Sequence, residues 1–379
     1  GAVFEDVGQW KRPWYFPINK DETMDEAVQR ESKNVRENAG VLDGSTLGKI
    51  EIKGKDALAF MNLIYTNSFS KMKPGTSRYA LMLGEDGMVK DDGIICKISD
   101  EHFIATTTTG GAATVLGCIE EYAQTEWPNL NVYMNSITEQ YATFNISGPK
   151  TRNIIEKVFP EVNFSNEAFP FMTFQFHEYE DTPIRILRAS FTGEMGYEIY
   201  VPSNQALKIW EKIINFGKEF GLKPYGTETM HLLRAEKGYI IVGQDTDGSI
   251  TPLDLGLDWM IGKSKKDFLG KRSLIRSDTV RKDRKQLVGI LPTNKNEKLE
   301  EGQHIILDKE IKTPTPMLGH ITSCYQSPTL GHNFALAVIK NGQSLIGTKA
   351  FVSTPELKTI EVEIVEPIFY DKENTKLAS

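Results

Sequence analysis

Gly84-Glu85-Asp86-Gly87-Met88-Val89-Lys90-Asp91-Asp92-Gly93 reads as a hairpin turn running into an apolar strand. Two adjacent acids at the start of a strand fit turn chemistry, because Asp caps its own backbone there. A functional reading is also open. Alternation sends the Asp91 and Asp92 carboxylates to opposite faces, so one can face a pocket while the other stays in solvent.

Working outward, Arg78 to Leu83 and Gly93 to Ile98 read as the strands flanking this turn, with Phe103 to Thr107 following. Lys49 to Lys53 alternates like a half-buried strand, and Gly54 introduces an amphipathic segment through Ile64. Further strands are expected at Ala142 to Ile146, Ile184 to Ala189 and Glu198 to Val201, and helices at Ala112 to Gln124, Lys150 to Val158 and Asn204 to Phe220. In the last helix Leu207, Trp210, Ile213, Ile214 and Phe220 can share one face. Towards the N-terminus, Thr23-Met24-Asp25-Glu26 has capping-box spacing, and helix formers run on to Gly40 as a stop. Residues 1–20 mix Trp10, Trp14, Tyr15 and Phe16 with charge and suggest an arm.

The mixture is α+β through residue 280. Lys263 to Lys285 is rich in Lys and Arg, suiting either a polyanionic ligand tail or a solvated linker. Beyond it, strand-like runs at Leu287 to Leu291, His304 to Leu307, Phe334 to Ile339 and Ile360 to Val365 predict a small β-barrel or jelly-roll-like unit over 281–379.

The chain has 379 residues, 40% hydrophobic, enough for more than one core. A net charge of −7 argues against nucleic-acid binding and favours small organic substrates. No membrane-length apolar run and no signal-peptide layout is present, so a cytoplasmic location is the expectation. The opening Gly-Ala-Val suggests processing or excision from something longer. Cys96, Cys118 and Cys324 lack nearby Cys or His and read as ordinary thiols; the six His are dispersed, and no metal site is expected. Phosphate-loop, dinucleotide-fingerprint and His-Glu-x-x-His motifs are absent.

Two further stretches can carry chemistry. In Phe191-Thr192-Gly193-Glu194-Met195-Gly196-Tyr197-Glu198-Ile199-Tyr200, Glu198 enters a strand among apolar neighbours, where an unpaired charge is costly. Its partner is either a structural Lys or Arg, or a ligand offering two N–H groups. In Thr229-Met230-His231-Leu232-Leu233-Arg234-Ala235-Glu236-Lys237-Gly238, Arg234 is a candidate inward guanidinium, for a ligand carboxylate or for an internal ion pair with Glu194 or Glu236.

The order of these motifs resembles the aminomethyltransferase superfamily, whose best-known member is the glycine cleavage T protein. In that family a Tyr stands thirteen residues before a buried Asp, matched by Tyr79 and Asp92. Its Gly-Glu-x-Gly-Tyr-Glu segment matches Gly193 to Glu198, and its Leu-Arg-x-Glu helix matches Leu233 to Glu236, followed by Val242-Gly243-Gln244-Asp245. Ile321-Thr322-Ser323 and Ser327 to Gly331 resemble its closing β-domain. Val7 to Arg12, Asp43 to Ile50, Thr106 to Gly111, Pro224 to Met230 and Ile240 to Thr246 look like the branch formed by the C-terminal half of heterotetrameric sarcosine oxidase α subunits.

The resemblance implies two intertwined α+β subdomains plus a β-barrel, with tetrahydrofolate in a central channel. It implies that Glu198 accepts hydrogen bonds from the pteridine and that Asp92 is the catalytic carboxylate. Tyr79 and Arg234 are carried over as channel-lining groups. Phe191 stands where T proteins usually carry Tyr, and Thr108 where they place Asn sixteen residues after the Asp. Both are implied folate-side positions, and both departures suit a branch that receives an imine or formaldehyde from a flavin site. The activity implied is formation of 5,10-methylenetetrahydrofolate from the methylene unit of sarcosine. A demethylase or T-protein-like enzyme with another donor, and a folate-binding module without turnover, are the alternatives. Flavin or NAD would sit only on regions absent from this chain or on a partner flavoprotein subunit, since whole α subunits begin with a dinucleotide-binding region.

Overall fold

The computed structural model describes residues 1–311 and 314–378; positions 312, 313 and 379 of the expected C-terminal unit lie outside them. The chain opens with an antiparallel hairpin, Val3–Val7 with Trp10–Tyr15. Helix Met24–Glu37 follows, its N-terminus closed by the expected box: Thr23 and Glu26 each bind the other's backbone N–H. Gly40 is not its stop. It lies within strand Ala39–Asp43, where a Cβ would come within 2.6 Å of Val35 and Tyr225 side-chain atoms. Close packing, not helix termination, requires glycine there.

A five-stranded sheet runs in the order Thr76–Leu83, Val89–Ser99, His102–Thr107, Gly48–Lys53, Tyr133–Ser136. A six-stranded sheet runs Phe174–Tyr179, Thr182–Leu187, Gly196–Pro202, Tyr141–Ser147, Ala39–Asp43, Leu222–Pro224. The chain therefore lays one strand in the second sheet, builds the first, and returns to complete the second. Period-two alternation sorts each sheet's residues between two faces. Ile50, Ile52, Ile95, Phe103 and Ala105 pack under helices Ala57–Ile64 and Ala112–Thr125. Phe144, Ile186, Ile199 and Val201 pack under helices Thr151–Val158 and Ala206–Gly217. Each such buried Ile, Val or Phe side chain contributes about 1.5–3 kcal/mol relative to exposure. The opposite faces meet: Ile94, Cys96, Ile98 and Ile104 of the first sheet pack against Phe174, Leu187 and Tyr200 of the second.

The expected helix stripe is corrected in one respect. Leu207 is 69% exposed, and Ile209 takes the buried place beside Ile213. A closed barrel of six strands, the first Lys285–Pro292 and the last Thr359–Val365, completes the chain. Its Leu287, Phe334, Leu336 and Val338 pack with Leu81, Leu83 and Val89 of the first sheet. Among the described residues no disulfide forms, no helix is long and apolar enough to cross a membrane, and no His, Cys, Asp and Glu group is arranged to hold a metal ion.

Candidate functional site

Asp91 and Asp92 lie inside strand Val89–Ser99, not in the turn. The turn is held by Asp86, whose Oδ1 accepts the Met88 N–H at 3.0 Å. Asp92 shares its strand face with Ile94 and Cys96, so it points into the layer between the sheets. Tyr79, opposite Ile94 in the register, donates its hydroxyl to Asp92 Oδ2 at 2.6 Å. Burial, with the Asp91 carboxylate adding to it, pushes the Asp92 carboxyl up to about 7, and the Tyr79 hydrogen bond opposes that rise. The Tyr79 phenol is itself raised, first by burial and then by Asp92.

Asp91 does not stay in solvent as alternation alone allowed; it is 3% exposed. Its side chain lies under the Thr108–Gly111 turn that enters helix Ala112–Thr125, because the first sheet is covered by helices on that face. A Cβ on Gly111 would lie 2.6 Å from both Asp91 Oδ2 and Thr108 Oγ1. Thr108 spends its hydroxyl oxygen on the Gly111 N–H at 3.0 Å.

Glu198 is 8% exposed on strand Gly196–Pro202. Its Oε2 accepts from the Tyr200 hydroxyl and its Oε1 from Asn145 Nδ2 at 3.1 Å. Asn145 is its cross-strand neighbour, and Arg185 is the neighbour of Tyr200. Burial raises the Glu198 carboxyl, and Tyr200, Arg185, Asn145 and Lys49 pull it back down. The fully buried Lys49, across the layer, donates to the Ser45 and Leu47 carbonyls at 2.9 Å each. Burial, then Arg185, push its ammonium down to about 8, with Glu198 opposing. The partner of Glu198 is thus a phenol and an amide, with two cations acting at a distance.

Asp92 and Glu198 therefore both lie on the sheet faces that meet in one inter-sheet layer. Cys96, four residues along the strand from Asp92 (about 13 Å), feels the charge of Glu198 and packs with Tyr200. Phe191 stacks on Tyr239 with ring centroids 5.9 Å apart.

Arg234 must be corrected as a channel-lining group. It is 0% exposed; Nη1 donates to the Asp245 carboxylate and the Tyr239 carbonyl and Nη2 to Ser323 Oγ, while Nε has no hydrogen-bond partner among the described residues. Glu194 and Glu236 instead share Arg36, which reaches them from helix Met24–Glu37. Sequence reading missed Arg36, Lys49, Asn145, Arg185 and Tyr239. Tyr200 alone carried a signal, standing two residues beyond Glu198 and hence on its face. A separate cavity of about 340 Å³, lined by Val28, Glu228, Leu232, Glu301 and Tyr325 among others, includes neither Asp92 nor Glu198.

The family described as GCVT N-terminal domain matches residues 1–265, and the glycine cleavage T-protein C-terminal barrel domain matches residues 285–371. Sarcosine oxidase subunit alpha of Corynebacterium sp. (strain U-96) is 49% identical over 99% of this chain, which spans 39% of that relative's length. Aminomethyltransferase of Alkaliphilus metalliredigens (strain QYMF) is 31% identical over 98% of the chain and 94% of the relative. The crystal structure of glycine cleavage system aminomethyltransferase T from Bartonella henselae superposes with a TM-score of 0.83 at 22% identity, covering 98% of this chain and 95% of that one, which marks a common fold.

Proposed function

The chain belongs to the glycine cleavage T-protein family, of folate-dependent aminomethyltransferase type, and from that premise we propose that it transfers a one-carbon unit to tetrahydrofolate. In this reading the unit is the methylene group released as imine or formaldehyde when a partner flavoprotein oxidatively demethylates sarcosine, and the product is 5,10-methylenetetrahydrofolate. The sarcosine branch is favoured by 49% identity to a relative named for that substrate, against 31% to an aminomethyltransferase. One observation carries the proposal: strand alternation sets the Tyr79–Asp92 pair and Glu198 on the facing sides of the same inter-sheet layer.

The acceptors present fit a reduced pterin. A carboxylate has about four lone-pair positions, and Tyr200 and Asn145 each use one on Glu198. Asn145 Oδ1 beside it is buried with no hydrogen-bond partner among the described residues. Such acceptors call for donors, and the amino and ring N–H groups of a pterin are donors. Glu198 and Asn145 would hold that edge. Phe191 with Tyr239, and Thr108, are proposed as neighbouring ligand-side positions. When bound, tetrahydrofolate supplies the amine nitrogens that carry the one-carbon unit.

Asp92 performs the proton chemistry in this scheme. Tyr79 occupies Oδ2, which leaves Oδ1 to take a proton from an attacking amine. A carboxyl near 7 is part-ionised at neutrality, so it can both accept that proton and, as the anion, stabilise developing positive charge. The facing sheets keep water from the electrophile.

The test is a reconstituted sarcosine-oxidising complex containing the full chain, scored for 5,10-methylenetetrahydrofolate against free formaldehyde per sarcosine oxidised. Asp92→Asn should lower transfer by about a hundredfold. Undiminished transfer would sink the catalytic assignment, and folate binding by the parent chain with no transfer would favour a non-catalytic binding module.

A further inference from the structure

Glu198 does not stand alone: it ends a chain of three side chains on adjacent strands. Arg185 on Thr182–Leu187 is 5% exposed, and its Nε has no hydrogen-bond partner among the described residues. Its guanidinium carbon lies 4.0 Å from the centroid of the Tyr200 ring. That ring is 1% exposed, and its hydroxyl donates to Glu198 Oε2. A cation over the face of a phenol draws electron density from the ring and strengthens its O–H as a donor. The rotation of the Glu198 carboxylate is then set from both sides, Tyr200 on Oε2 and Asn145 on Oε1.

We propose that Tyr200, backed by Arg185, is a positioning residue that fixes the Glu198 carboxylate so that its remaining lone pairs meet the donor edge of the pterin. This rests on the reading above that Glu198 binds that edge. A free carboxylate would lose rotational freedom on binding and would also have to be desolvated; here both costs are met before the ligand arrives.

The arrangement also controls ionisation. The groups facing Glu198 are Tyr200 on its own strand, Asn145, Arg185, Lys49 on Gly48–Lys53, Cys96 on Val89–Ser99, and Tyr225 after Leu222–Pro224. Burial favours the neutral acid, while the Tyr200 hydroxyl and then Arg185 favour the anion that accepts two N–H groups. Removing the hydroxyl therefore moves ionisation to higher pH.

The experiment is anaerobic titration calorimetry of tetrahydrofolate into the full chain and its variants, between about pH 5 and pH 9. Tyr200→Phe should weaken binding about tenfold near neutrality, the worth of one hydrogen bond to a charged group, and shift the acid limb of the affinity profile upward. Glu198→Gln should weaken it further, and Tyr200→Phe added to Glu198→Gln should cost nothing more, since both act through one carboxylate. Wild-type affinity and an unmoved acid limb in Tyr200→Phe, or full additivity with Glu198→Gln, would overturn the positioning role. Should Tyr200→Phe fail to fold, Arg185→Met carries the same comparison with a smaller loss. A parent chain that binds no tetrahydrofolate removes the ligand reading and this inference together, whereas a binding parent with an indifferent Tyr200→Phe removes only the inference.

Discussion

Asp92 carries a carboxyl raised to about 7, chiefly by burial, and the Tyr79 hydroxyl is the main group holding it down. If the anion is the working form, transfer rises with pH through about 7 and then levels. Tyr79→Phe removes the opposing hydrogen bond, so its rate-against-pH curve should sit at higher pH, with a deficit at neutrality that narrows in alkaline buffer. An unmoved curve would show that the pair does not act as a unit. Stability should run the other way. A carboxyl whose folded-state pKa is raised costs stability once pH exceeds the unfolded value, a cost that grows until pH passes the folded one. Asp92→Asn should therefore raise Tm at pH 8 and leave it nearly unchanged at pH 4, which a pair of calorimetric scans can check. Asp92 and Glu198 became candidates because the order and spacing of the motifs that contain them match the resembled family. Arg185 and Asn145 did not, because which residues face each other across strands depends on register, and register is not visible in a single strand.

At the scale of elements, the turn between strand His102–Thr107 and helix Ala112–Thr125 is tight against the back of the site. Gly111→Ala places a methyl against Asp91 and Thr108 and should cost about 1–3 kcal/mol in urea unfolding. Asp91→Ala in the same chain removes the obstructing carboxylate and should return part of the loss; a purely additive double variant would refute the steric account. The capping box of helix Met24–Glu37 was readable from four consecutive residues because its chemistry is local. Its end was not, since Gly40 is needed for tertiary closeness to Tyr225, far along the chain. Leu207 likewise satisfied a helical period without touching the core, because the sheet covers only part of that helix.

For the whole molecule, Arg234 joins helix Thr227–Glu236 to the barrel through Asp245 and Ser323. Arg234→Ala strands a fully buried carboxylate and should cost about 3 kcal/mol, with folate affinity falling only as the fold does. A selective loss of affinity at unchanged stability would restore the channel reading of this residue. Its inward aim was legible from the leucines before it, but its partner was not: Arg36 reaches the nearer acids from a remote helix. The interlaced order of the two sheets has a consequence for biosynthesis. As the chain leaves the ribosome, Ala39–Asp43 has no sheet to join until Tyr141–Ser147 emerges, and its other flank stays open until Leu222–Pro224 arrives. Throughout that interval the nascent protein carries an unsatisfied strand edge, the kind of surface that chaperones shield and that strays into aggregates when translation stalls.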